Sequence, residues 1–177
     1  MQLVVNDQVQ LSEFRASDKD ALVGHLNDRK IYDRTLRIPF PYTGASADEW
    51  LALVPKITEQ QGRQVQWAIR SAEDALIGGC GFSGFQAGKS HLAEVGYWLG
   101  KPYWGRGIMT AVVQRLCRHA FEEFGLVKIT AHVHPHNQAS ARVLAKCGFR
   151  EEGFLRRHFL KGGQLLDARL FALLREE

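Results

Sequence analysis

HLAEVGYWLGKPYWGRGIMT, residues 91–110, decides how the rest of the chain is read. Its first half alternates apolar with small or polar residues, is rich in aromatic and β-branched types, and stops at Gly100, the pattern of a strand. Ile108, Val112, Leu116 and Ala120 then recur every fourth residue and predict a helix from about Gly105 to Phe124, closed by Gly125. Between them lies LGKPYWGRG. A glycine-rich turn from a strand into a helix N-terminus leaves backbone N–H groups unpaired and adds the partial positive charge of the helix dipole, so the fitting guest is a phosphate. Gly105 and Gly107 let a phosphate oxygen approach where a Cβ would block it. The dinucleotide fingerprint is broken by Thr110, and the P-loop Gly-Lys-Ser/Thr is missing.

Val95-Gly96-Tyr97-Trp98-Leu99 followed by Tyr103-Trp104-Gly105-Arg106-Gly107-Ile108-Met109 resembles the acetyl-CoA loop of the GNAT N-acetyltransferase superfamily, nearest to its RimJ/RimL-like branch, which acetylates ribosomal protein N-termini. A second matching block, NQASARVLAKCGF, supplies Asn137, Ser140, Arg142, Leu144, Lys146, Gly148 and Phe149. The resemblance implies an α+β fold of mixed α/β type: a mostly antiparallel twisted sheet with helices on both faces, its central strands splayed to admit acetyl-CoA. It implies transfer of an acetyl group from acetyl-CoA to a primary amine, with no metal.

Composition agrees with a soluble globular chain, at 45% hydrophobic and 24% charged residues. A length of 177 residues suits one domain, 1–177. Cys80, Cys117 and Cys147 are odd in number, widely spaced and free of CxxC, which fits a reducing cytoplasm rather than a disulfide framework. The N-terminus has no basic segment followed by an apolar run, and no stretch is long enough to span a bilayer, so neither signal peptide nor membrane partner is expected. A net charge of +4 suits an anionic co-substrate but is too small to establish specific nucleic-acid binding.

Along the chain, 3–14 reads as one strand broken early by Asn6-Asp7, and Ser17 with Asp20 as a capping pair opening a helix that buries Leu22 and Leu26. Residues 33–45 read as a proline-rich loop carrying Phe40 and Tyr42. Ser46 and Glu49 suggest a capping box for a helix reaching Gly62, kinked or broken at Pro55. Strands follow at 65–70, 75–85 and 91–99; after the helix come a strand at 126–134, a helix capped by Asn137 and ending at Cys147, and a hairpin of strands 149–160 and 164–174 turning at Gly162-Gly163. There are no repeats and no linkers.

Acyl transfer from a thioester needs a polarised carbonyl, a neutral amine and a stabilised thiolate. The resemblance implies that amides near Trp98, Leu99 and Gly100 hold the pantetheine and the thioester oxygen. It places the pyrophosphate on the amides of Trp104, Gly105, Arg106, Gly107, Ile108 and Met109, with the Thr110 hydroxyl beside them. Arg106 reads equally as a solvated loop cation. Period two puts Glu94, Gly96 and Trp98 on one face of the strand and Val95, Tyr97 and Leu99 on the other. Glu94 is a candidate to take the amine's proton, directly or through water, with room made by Gly96; an outward structural carboxylate is the other reading. The family's usual tyrosine acid falls at Leu144, which leaves Ser140, a hydroxyl that also suits helix-capping chemistry. Asn137 can be both N-cap and pantetheine contact. Phe40, Tyr42, Tyr97 and His158 are expected to line the acceptor site, where no acidic cluster awaits a polycation. That tilts the acceptor toward a protein N-terminal α-amine. A small amine or amino-acid analogue, or a non-catalytic acyl-CoA sensor, stays open, as does a homodimer. His132, His134 and His136 alternate, but Pro135 and the lack of a suitably spaced carboxylate or Cys argue against a metal site.

Overall fold

The computed structural model describes residues 2–176. In chain order the elements are β1 (Leu3–Asn6), β2 (Val9–Ser12), α1 (Lys19–Leu26), α2 (Arg29–Tyr32), α3 (Gly44–Gln61), β3 (Gln66–Ser71), β4 (Leu76–Ser83) and β5 (Leu92–Leu99). They continue with α4 (Ile108–Glu123), β6 (Lys128–Val133), α5 (Gln138–Lys146), β7 (Arg150–Lys161) and β8 (Gln164–Leu174). The eight strands form one sheet in the order β1-β2-β3-β4-β5-β6-β8-β7. Every neighbouring pair is antiparallel except β5 and β6, which run parallel because α4 carries the chain back across the sheet.

Each sheet face is covered by helices, as the apolar periodicities require. On one face α4 buries Met109, Val112, Val113, Leu116, Cys117 and Ala120 against Val95, Leu99, Ile129, Val133 and Phe171. Full burial of a Val or Leu side chain contributes about 1.5–3 kcal/mol, so this stripe alone accounts for much of α4's stability. The other face holds Leu22, Leu26, Ile31, Tyr42, Ala47, Ala68 and Leu76, with Trp98 and Trp50 partly buried beside them. The Trp98 indole crosses β4 at Gly79, where a Cβ would lie 2.5 Å from its Nε1, which explains a glycine-loaded strand at that point.

Several local expectations are corrected. Residues 3–14 form two strands, not one, because the Asn6 side chain accepts the Gln8 N–H at 2.9 Å and turns the chain into a hairpin. Ser17 and Asp20 do not cap α1; a short 3-10 turn precedes it, in which Asp18 accepts the Arg15 N–H at 2.7 Å. The cap of α3 is Thr43 paired with Ser46, three residues ahead of the Ser46–Glu49 reading. Pro55 breaks nothing. It sits on the exposed face of a continuous helix, where water can reach the carbonyl it leaves unbonded.

Candidate active site

The phosphate-type loop has the open geometry its glycines predict. Gly105 and Gly107 both adopt φ +74° with open space where a Cβ would stand. Gly107 is the N-cap of α4, no side chain among the described residues caps the helix, and the first helical bond runs from the Ala111 N–H to the Gly107 carbonyl at 3.2 Å. The N–H groups of Ile108, Met109 and Thr110 therefore lack intrahelical acceptors and carry the positive end of the helix dipole. Trp104 is a correction: its N–H is bonded to the Lys101 carbonyl at 3.2 Å, and its indole donates to the Leu99 carbonyl at 2.7 Å. Trp104 thus braces the loop instead of offering an amide. Arg106 lies over the Tyr103 ring at 5.8 Å.

The gap between the central strands is equally definite. β5 and β6 pair only through Leu92–Glu94 and Lys128–Thr130, after which they part. Gly100 donates its N–H to the Ile77 carbonyl at 2.8 Å, so it is not a free amide of the gap. Alternation along the antiparallel ladder turns the Trp98 N–H toward β4 as well, and leaves those of Tyr97 and Leu99 on the parted edge. Of the three amides expected there, only that of Leu99 faces the gap.

Polar groups flank this gap on opposite faces of β5. On the α4–α5 side, Tyr97 Oη and Ser140 Oγ lie 2.8 Å apart. Ser140 is fixed in turn by Asn137, the N-cap of α5, whose Oδ1 accepts the Ser140 N–H at 3.3 Å. Burial pushes the Tyr97 phenol well above the usual tyrosine range, so it stays protonated. On the α1–α3 side, Glu94 Oε1 lies 2.9 Å from His132 Nδ1, with 31% and 17% of the two side chains exposed. The His158 ring stacks on that of His132, centroids 4.9 Å apart. Among the described residues nothing lies within 4 Å of a Cβ built on Gly96, so space stands open beside Glu94.

Residues 8–150 match the Acetyltransferase (GNAT) domain family. The chain belongs to the GNAT acetyltransferases. It is 28% identical to an uncharacterized N-acetyltransferase p20 of Bacillus licheniformis over all of this chain and 98% of that one. Against the ribosomal protein uS5-alanine N-acetyltransferase of Escherichia coli, identity is 30% over 70% of this chain and 66% of the relative. The structure of Mycobacterium smegmatis RimJ in complex with CoA-disulfide superposes with a TM-score of 0.81 at 27% identity, covering 94% of this chain and 81% of that one. The fold is the GNAT fold, with its parted central strands, and the chain is an N-acetyltransferase of that family.

Around a GNAT gap built this way, the expected acceptor-lining residues fall in different places. Tyr42 is only 4% exposed and packed into the core beneath α1 and α3, so it does not line a cleft. Tyr97 lies on the face opposite Glu94 and joins Ser140 instead. Phe40 is exposed, its ring 5.7 Å from that of Tyr32, with the Arg29 guanidinium over both. His158 is exposed and reaches the Glu94 side through its stack on His132. The Lys161 ammonium bonds the carbonyls of Tyr32 and Thr35 and sits 3.6 Å from the Tyr32 ring, which pins the β7–β8 hairpin to α2.

The three alternating histidines part company. His132 joins Glu94, while His134 stacks on His136 and is pushed toward the neutral form by burial. Among the described residues no group of three or more His, Cys, Asp or Glu could hold a metal ion. No helix among them is long and apolar enough to cross a membrane. In the sequence, His132 stands out only as one of three alternating histidines. Its partnership with Glu94 depends on the parallel register that sets Glu94 opposite Thr130, two residues before His132, and no local pattern reveals that register.

Proposed function

We propose that the protein moves the acetyl group of acetyl-CoA to a protein N-terminal α-amine by direct attack of the amine on the thioester. The observation that carries this is the pairing of Glu94–His132 and Tyr97–Ser140 on opposite faces of β5, beside the open N-terminus of α4. The pyrophosphate would rest on the amides from Gly105 to Thr110, held by geometry the glycines alone permit. The pantetheine would enter where β5 and β6 part, with the Leu99 N–H on that edge to bond it.

The amine's proton is drawn off on the Glu94 side, and the sulfur leaves on the Ser140 side. A serine is a weak acid, but the Tyr97 hydroxyl can donate to Ser140 Oγ and leave the serine proton free to meet the departing thiolate. A thiol of ordinary pKa near 8.5 needs no stronger donor than that. Supporting an α-amine acceptor are the similarity to the uS5-alanine enzyme and a net charge of +4, which does not favour a polycation.

The test is thiol release from acetyl-CoA with peptides of varied N-termini, spermidine, an aminoglycoside and single amino acids. Turnover highest on one peptide class is the expected result. Faster turnover on spermidine or the aminoglycoside would overturn the acceptor, and tight acetyl-CoA binding with no thiol release on any of them would overturn catalysis.

A further inference from the structure

We infer that the atom receiving the amine's proton is Nε2 of His132, with Glu94 acting as the carboxylate that orients and polarises the ring. The inference rests on the acetyl-transfer reading above and assigns its base. Glu94 Oε1 faces His132 Nδ1 at 2.9 Å. At neutral pH a carboxylate can only accept, so Nδ1 must carry a hydrogen and donate it. In the neutral ring that leaves Nε2 bare, the arrangement in which a carboxylate-held imidazole serves as a base. Nδ1 accounts for the one hydrogen bond His132 makes among the described residues, so no described residue occupies Nε2.

The packing holds the ring in that pose. The titratable groups facing it are Glu94 from β5 and His158 from β7, and its ladder partner on β8 is Leu170. Phe159 meets the ring edge-on at 5.5 Å. His132 and Glu94 share the sheet face on which Gly96 leaves open space, the face opposite Tyr97 and Ser140. An imidazole also suits the task better than a lone carboxylate: its ordinary pKa near 6.5 lies far closer to an α-ammonium near 7.7–8.0 than does a glutamate near 4.3.

The protons balance as follows. The ammonium gives one proton to His132 Nε2 and becomes a neutral amine. Its nitrogen lone pair forms the C–N bond, the C–S bond breaks with its electron pair on sulfur, and the second nitrogen proton reaches the sulfur through Ser140. His132 returns its proton to water beside the exposed His158 ring.

The first test needs no acceptor. Long-range ¹H–¹⁵N correlation on the whole protein near pH 8 should show His132 with hydrogen on Nδ1 and none on Nε2, and Glu94→Ala should let the ring revert to the Nε2–H form usual in water. Hydrogen on Nε2 in the unaltered protein would overturn the dyad. The second test follows acetylation of a peptide beginning with Ala. Asn at 132 places its amide nitrogen near the Nδ1 position, so His132→Asn keeps the hydrogen bond to Glu94 while removing the base. His132→Asn and His132→Ala should both lower kcat/KM about 10²-fold and lose the acidic limb of its pH profile, with added imidazole restoring part of the rate in His132→Ala. Full rate and an unchanged profile in His132→Asn would show that the ring only positions Glu94, and the inference fails. Should the unaltered protein leave this peptide untouched, the α-amine acceptor is what fails, and the tautomer decides the dyad by itself.

Discussion

Tyr97 Oη and Ser140 Oγ meet at 2.8 Å, tying the central strand to the helix that Asn137 caps, across the gap where β5 and β6 part. If the two hydroxyls act as one donor at the sulfur, their effects must not add. Ser140→Ala should lower kcat about 10²-fold and Tyr97→Phe several-fold. The double variant should be no slower than Ser140→Ala alone. Multiplying losses in steady-state turnover would mean that the two side chains act separately.

The α4 N-terminus offers a test of phosphate binding that leaves acceptor chemistry aside. An Ala at the φ +74° of Gly107 carries the left-handed penalty of about 1–2 kcal/mol. Gly107→Ala should therefore either twist the loop or strain it, and raise the acetyl-CoA Kd about tenfold or more by isothermal titration. Gly153→Ala, where a Cβ meets nothing and φ is ordinary, serves as the control with unchanged affinity. Equal affinities in the two variants would remove the loop from the binding site.

Beneath the second sheet face, Arg70 and Asp18 form a buried pair, Nη1–Oδ1 2.9 Å and Nη2–Oδ2 2.8 Å, with side chains 2% and 5% exposed. Removing one partner strands the other's charge away from water. Arg70→Ala should cost about 3–5 kcal/mol in urea unfolding. A loss under about 1 kcal/mol would show that water reaches Asp18 in the variant.

Stability should also fall on mild acidification, for a reason visible in two histidines. His119 is 5% exposed, and among the described residues its Nε2 has no hydrogen-bond partner; burial, then the charge of Arg115, pushes its pKa down. His134 is pushed down by burial and by His136. Below the ordinary histidine value near 6.5, the unfolded chain takes up protons that the folded chain refuses, so the contribution of these two histidines falls as pH drops below about 6.5 and is constant above it. Glu73, Asp74 and Glu151 are held low by their hydrogen bonds, so their contributions are lost only further down, below the ordinary carboxylate range. Urea midpoints at pH 7 and 5 should differ less in His119→Leu than in the unaltered protein. An undiminished difference would place the effect elsewhere.

What the sequence by itself determined is what short-range geometry dictates. The glycines of the 100–107 loop, the apolar stripe of α4, the Asn137 cap and the Gly162-Gly163 turn each act within a few residues, and the structure has them where the pattern puts them. Local ambiguity accounts for the displaced caps: Thr43, Ser46 and Glu49 offer two overlapping capping registers, and the choice depends on where the chain enters α3. The tertiary structure alone decided the site's partnerships. Which strand lies beside β5, and in what register, is set by packing over the whole sheet. That register, with Glu94 opposite Thr130, brings His132 to Glu94 and sends Tyr97 to Ser140, while the same packing draws Tyr42 into the core. Period two could say which side of the strand each residue faces, but the partner waiting there comes from sequence 38 or 43 residues away.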